Sequence, residues 1–137
     1  MKTLILFLIF ISCSNVEETK HIPQEITTND TITKIINDER HNRVLNELKS
    51  EKLLTELSKQ KAIQMELSKQ VNHDGFAILN VHTETYGQVV GYGFKSEVSL
   101  FNNYMNSEKH KNVILGNYTH IGSYTHKTYN CILFAKY

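Results

Sequence analysis

The sequence predicts an α+β fold, a three-layer α-β-α sandwich with a central antiparallel sheet. Segments of helical period come first, and strand-like segments separated by short turns follow them, an order that places a sheet between helical layers. The closing stretch "TYNCILFAKY" sends Cys131, Leu133 and Ala135 to one face and Ile132 and Phe134 to the other. A strand apolar on both faces is covered on both faces. The longest helical stretch carries two apolar strips side by side, which predicts broad coverage of that helix as well.

The elements follow in chain order. "TITKIINDERHNR" places Ile32, Ile35 and Ile36 at helical spacing, with Asp30 or Thr31 able to cap its start. In "SEKLLTELSKQKAIQMELSKQV", Ser50 is the expected N-cap and Glu51 suits the positive end of the helix dipole. At about 100° per residue, Leu53, Leu57, Ile63, Leu67 and Val71 share an arc of about 120°. Leu54, Ala62 and Met65 form the second strip. The Asp-Gly turn of "NHDGF" ends this helix. "SEVSLFNNYMN" is a third, with Val98, Leu100, Phe101, Tyr104 and Met105 on one side. "YGQVVGYGF", "NYTHIGSY" and "TYNCILFAKY" are the strands.

With 137 residues the chain is long enough for one domain. Residues 1–12, "MKTLILFLIFIS", hold an apolar run from Leu4 to Ile11. That run is far shorter than the ~20 residues of a membrane span and matches the core of a secretory signal. Cys13 behind a small residue reads as a lipoprotein cleavage site that makes Cys13 the lipid-bearing N-terminus; an uncleaved signal with an incidental cysteine is the alternative. Residues 13–30 then form the lipid-bearing cysteine and a polar tether with the chain's only proline, Pro23. Residues 31–137 form the domain. The expected location is extracytoplasmic, anchored to a membrane through Cys13.

Cleavage removes Lys2 and leaves equal numbers of basic and acidic residues, so no electrostatic case exists for nucleic acid. Acylation of Cys13 would leave Cys131 unpaired, and such a domain depends on packing alone. Cys131 itself, in an alternating apolar strand, is expected as a core residue and not a nucleophile. "YGQVVGYGF" lacks the Lys and following helix of a phosphate loop, and its glycines suit a twisted or bulged strand.

The order "INDERHNRVLNELKSEKLLTELSKQKAIQMEL", "NHDG", "NSEKHKNVILGNYTHIG" and a closing hydrophobic strand resembles the bacterial branch of the CAP, or SCP-like, domain family. That family is named for cysteine-rich secretory proteins, insect venom antigens and plant pathogenesis-related proteins. Asn37, Glu39 and Arg40 resemble its "N-E-x-R" start. Ser107, His110, Asn112, Ile114 and Leu115 resemble its "S-x-x-H-x-x-N-x-L" pattern with a one-residue shift at Lys111–Asn112. Tyr118, Thr119, Ile121 and Gly122 match its "Y-T-x-I-G" strand.

The resemblance implies the sandwich already inferred and a cleft that holds two histidines and, in many members, two glutamates, with a divalent metal in some. By motif the histidines are His73 and His110. The "G-E-N" segment falls on Gly87, Gln88 and Val89, so Gln88 stands where a glutamate is expected. The second glutamate's place lies near Asn106 and Ser107, which leaves Glu84 or Glu97 to approach by another route.

Two imidazoles can bind Zn²⁺, but a catalytic zinc site normally has three protein ligands. Gln88 offers only a neutral carbonyl oxygen and cannot act as a general base. The leading expectation is therefore a non-enzymatic binding module whose cleft of His73, Gln88 and His110 takes a small ligand, a metal ion or a partner's side chain. A small hydrophobic or cell-wall ligand is the class implied by the resemblance. One alternative is a metal-dependent hydrolase of peptide or cell-wall material, with His73 and His110 as zinc ligands and Glu84 as base. Another is a surface adhesin or structural protein with a vestigial cleft.

Overall fold

The computed structural model describes residues 29–75 and 83–137. Its elements are α1 (Asn29–Asn42), β1 (Lys49–Ser50), α2 (Lys52–Ser68), β2 (Thr85–Tyr92), α3 (Glu97–Asn106), α4 (Glu108–Ile114), β3 (His120–His126) and β4 (Tyr129–Lys136). The expected signal, Cys13 and most of the expected tether lie outside the described residues. Among those described, no helix is long and apolar enough to cross a membrane.

The sheet order is β1-β3-β4-β2. β4 pairs antiparallel with β2 along one side and with β3 along the other. The two-residue β1 adds a parallel pairing, Lys49 with His120 and Ser50 with Ile121, to this antiparallel core. All of β4 but its last residue is buried, as its two-sided apolar pattern requires. Ile132 and Phe134 join Ile32, Ile36, Leu100, Tyr104 and Ile114 on the face covered by α1, α3 and α4. Cys131, Leu133 and Ala135 join Leu54, Met65 and Val90 under α2. The three layers are those predicted.

The buried face of α2 differs from the one expected. Leu54, Ala62 and Met65 are buried, together with Ser58, Lys61 and Glu66, whereas Leu53 is 44% and Leu67 75% exposed. Val71 lies beyond the helix and is exposed. The inner face tolerates polar residues because each one is bonded. Ser58 Oγ donates to the carbonyl of Gly122 at 2.9 Å. Lys61 Nζ reaches Gln64 Oε1 at 3.0 Å and Asn72 Oδ1 at 2.7 Å. Glu66 Oε1 accepts from Lys69 at 2.6 Å and Lys127 at 2.8 Å. Those two lysines hold the Glu66 carboxyl down to about 2. A tally of leucines therefore picks the wet side of this helix.

Its ends differ too. Glu51, not Ser50, is the N-cap, its carboxylate accepting from the amides of Leu53 and Leu54. Lys69 closes the helix in the left-handed conformation, before the Asp-Gly turn is reached. Asp30 and Thr31 lie within α1, which begins at Asn29. In α3 the cap is Ser96, and Leu100 and Tyr104 are buried while Val98 is 57% exposed.

α2 rests directly on β3 at Gly122, where a Cβ would overlap the backbone of Leu54 and Thr55. Gly122→Ala is expected to lower unfolding stability by at least about 2 kcal/mol, because backbone on both sides blocks relaxation. Leu67→Ser, on the exposed side, should change it by less than about 0.5 kcal/mol. Urea unfolding of the two variants checks both, and a reversed order would put the wrong face of α2 against the sheet.

Candidate functional site

Three residues far apart in sequence gather beside β2. His73 lies in the segment after α2, Gln88 on β2 and His110 on α4. His73 Nδ1 and Gln88 Oε1 are 2.7 Å apart. Gln88 is buried, and its amide nitrogen donates to Cys131 Sγ at 3.6 Å. Burial pushes the Cys131 thiol up to about 12, so this sulfur is a protonated core atom, as expected. Gln88 thus connects the sheet interior to an exposed imidazole.

Different forces place each histidine. The His73 turn is drawn in by the buried Lys61, whose ammonium bonds Asn72 Oδ1 at 2.7 Å and the carbonyl of Asp74 at 2.5 Å. Burial lowers the Lys61 pKa, and Cys131 and Asp74 act in the opposite direction. Sequence reading missed Lys61, although its position on the inner face with Leu54, Ser58 and Met65 was a signal. His110 is half-buried, its ring set against Tyr104 in an edge contact with centroids 5.1 Å apart. Tyr104 is fixed by its hydroxyl, which donates to Asn130 Oδ1 at 2.9 Å. Gly87, next to Gln88, leaves room for the Tyr118 ring and Val113, which a Cβ there would strike.

The end of α4 is held by Arg40, fully buried in α1. Its guanidinium donates to the carbonyls of Ile114 at 2.9 Å, Gly116 at 2.9 Å and Asn46 at 3.0 Å, and to Asn46 Oδ1 at 3.1 Å. Asn37 bonds both the amide and the carbonyl of Leu48. These two residues of the "N-E-x-R" segment organise the chain into β1, while Glu39 pairs with Arg43 at 2.6 Å on the surface.

No carboxylate joins the histidines by either expected route. Glu84 pairs with Lys136 at 2.8 Å, and Glu97 bonds Thr31 of α1. Among the described residues no three His, Cys, Asp or Glu side chains gather to hold a metal ion. The Gln88 oxygen is already engaged by His73, and His110 Nδ1 is buried without a hydrogen-bond partner. A metal-bound imidazole needs an acceptor for its second ring N–H. The described residues therefore do not fit a resident zinc centre with His73 and His110 as ligands. Elsewhere, His120 contacts Thr119 and Tyr137, and His126 ends β3.

Residues 33–134 match the sequence model of the cysteine-rich secretory protein family, CAP. The chain belongs to that family. Its CAP domain is similar in structure to an extracellular protein containing an SCP domain from Bacillus anthracis, with a TM-score of 0.75 and 16% identity over 80% of this chain and 40% of that one. A cysteine-rich secretory protein of Staphylococcus aureus gives 0.74 and 22% over 84% and 40%. An outer surface protein of Borrelia burgdorferi gives 0.72 and 21% over 78% and 90%. The chain thus spans two fifths of the first two proteins and nine tenths of the third. These likenesses establish the fold. Among curated proteins, none matches the chain.

Burial, and then the nearby His73, lower the His110 pKa below its ordinary 6.5. A lowered histidine keeps the native state neutral while the unfolded chain takes up protons. Its contribution to stability is therefore whole above about 6.5 and is lost as pH falls from there through the folded-state midpoint. NMR titration of His110 should give a midpoint below 6.5, and His73→Gln should raise it. An unchanged midpoint in that variant would separate the two rings.

Proposed function

We propose that this chain is an exported, membrane-tethered CAP module that binds a small ligand or partner group at His73, Gln88 and His110 and performs no catalysis. The observation that carries the reading is the 2.7 Å contact between His73 and Gln88, with His73 also acting on His110 and, among the described residues, no three His, Cys, Asp or Glu side chains gathered to hold a metal ion. Two imidazoles and an amide can donate and accept hydrogen bonds to a ligand. The amide of Gln88 cannot take a proton at neutral pH, so this position lacks the carboxylate base that a glutamate would supply. Glu84, the base of the hydrolase alternative, is engaged by Lys136 instead.

Export is supported by the apolar run of residues 4–11 and by the family likeness to an extracellular and an outer surface protein. In this reading Cys13 carries the lipid and the following polar residues set the domain off from the membrane. The neutral charge balance fits a surface that neither seeks nor avoids anionic lipid.

The test uses the intact chain in its native membrane and the same chain after release. Cys13→Ser should move the protein from the membrane to the soluble fraction and end acyl labelling. Solubilised cell-wall fragments should shift the ring resonances of His73 and His110 without being cleaved, and His110→Ala should weaken that binding at least tenfold. Cleavage of the fragments, lost in Glu84→Gln, would establish the hydrolase instead.

A further inference from the structure

Away from the histidine cluster, two lysines distant in sequence converge on one buried oxygen. Lys69 closes α2, and Lys127 sits in the turn between β3 and β4. Both hold a left-handed backbone, with φ of 55° and 53°, a conformation that favours glycine or asparagine. Lysine gains nothing from that backbone, so its use at both turns is explained by where the side chain goes. Both ammoniums reach Glu66 Oε1, Lys69 at 2.6 Å and Lys127 at 2.8 Å. Sharing one oxygen, the two nitrogens lie no further apart than those two bonds laid end to end. Lys127 alone would clamp the hairpin to α2; the second cation adds nothing to that clamp.

The pair faces outward. The two lysine side chains are 68% and 64% exposed, with the buried Glu66 behind them. One carboxylate answers one of the two positive charges. Each ammonium has three N–H groups and spends one on Glu66, so donors and a net positive charge remain directed at solvent. A planar carboxylate is matched best by the fork of arginine, whereas paired point charges suit a rounder anion with its charge spread over several oxygens. Lys127 also lines a hollow of about 270 Å³ whose wall combines Phe94 and Leu100 with Lys95, Ser96 and Thr128. Glu97, an acid in that wall, bonds Thr31 of α1. We propose that Lys69 and Lys127 seat the phosphate group of a small phosphate ester, whose organic part occupies the hollow beside Lys127. This site is separate from the histidine cluster and does not rest on it. Glu66 holds the two cations in place beforehand, so binding does not have to order two long side chains.

Amide spectra of the ¹⁵N-labelled protein, titrated with glycerol 3-phosphate at fixed ionic strength, test this. The amides of Lys69, Lys127, Thr128 and Ser96 should shift and saturate, and sodium acetate should leave them unmoved. Lys69→Asn and Lys127→Asn suit the left-handed backbone and should leave the β4 amides in place, yet each should weaken binding at least about tenfold. Lys127→Arg, which keeps the cation, should retain it. Equal shifts with acetate, or unchanged affinity in both asparagine variants, would leave the lysines as a clamp on the hairpin and overturn the proposal. Binding to phosphatidylcholine vesicles that contain phosphatidic acid, without binding of glycerol 3-phosphate, would make the anion a lipid headgroup and overturn the assignment of the hollow.

Discussion

Among the described residues, one guanidinium is fully buried without a carboxylate among its hydrogen-bond partners. Arg40 is fully buried, and among the described residues its partners are three backbone carbonyls and one side-chain amide. Burial lowers its pKa, but a guanidinium starts so high that it keeps its charge. What compensates it is partly the end of α4, where Ile114 presents a carbonyl at the negative pole of the helix dipole. The same cation holds Asn46 and Gly116, so one residue of α1 fixes both the approach to β1 and the exit from α4. Each bond of this kind is worth about 1.5–3 kcal/mol, enough for the set to outweigh any surface ion pair in the chain.

The position of His110 follows from that anchor. It lies one turn before Ile114, and Tyr104 bounds it on the side of α3. On the other side of β2, Lys61 performs a similar task with a different charge, drawing the Asn72–Asp74 turn inward and with it His73. Two buried cations, each bonded to oxygens, thus set the two imidazoles. Between them, Gln88 passes a neutral amide from the buried thiol of Cys131 to the surface.

Much of this was legible in the sequence, for physical reasons that can be named. Alternation on both faces of β4 revealed a covered central strand, and the order of periods revealed the layers. His73, Gln88 and His110 were chosen through motif resemblance; His73 touches Gln88 at 2.7 Å and acts electrostatically on His110. Period alone failed on α2, because the inner face mixes Leu54 and Met65 with Ser58, Lys61 and Glu66, whose bonds to Gly122, Asn72 and Lys127 come from distant parts of the chain. The role of Glu51 as N-cap was hidden by a serine beside it. The importance of Arg40 was hidden because its acceptors are carbonyls, which no side-chain pattern advertises. Cys13, the expected lipid site, falls outside the described residues.

The central claim is that Arg40 holds α4, and with it His110, in place. Native-state hydrogen exchange of an Arg40→Met variant tests it most directly, since methionine keeps much of the volume and removes every donor. The amides of Leu115 and Gly116, which close α4 onto Lys111 and Val113, should exchange markedly faster relative to those of β4 than they do in the unaltered protein. If α4 and β4 instead keep the same relative protection, the helix is held by something other than this guanidinium, and the account of how His110 is positioned is wrong.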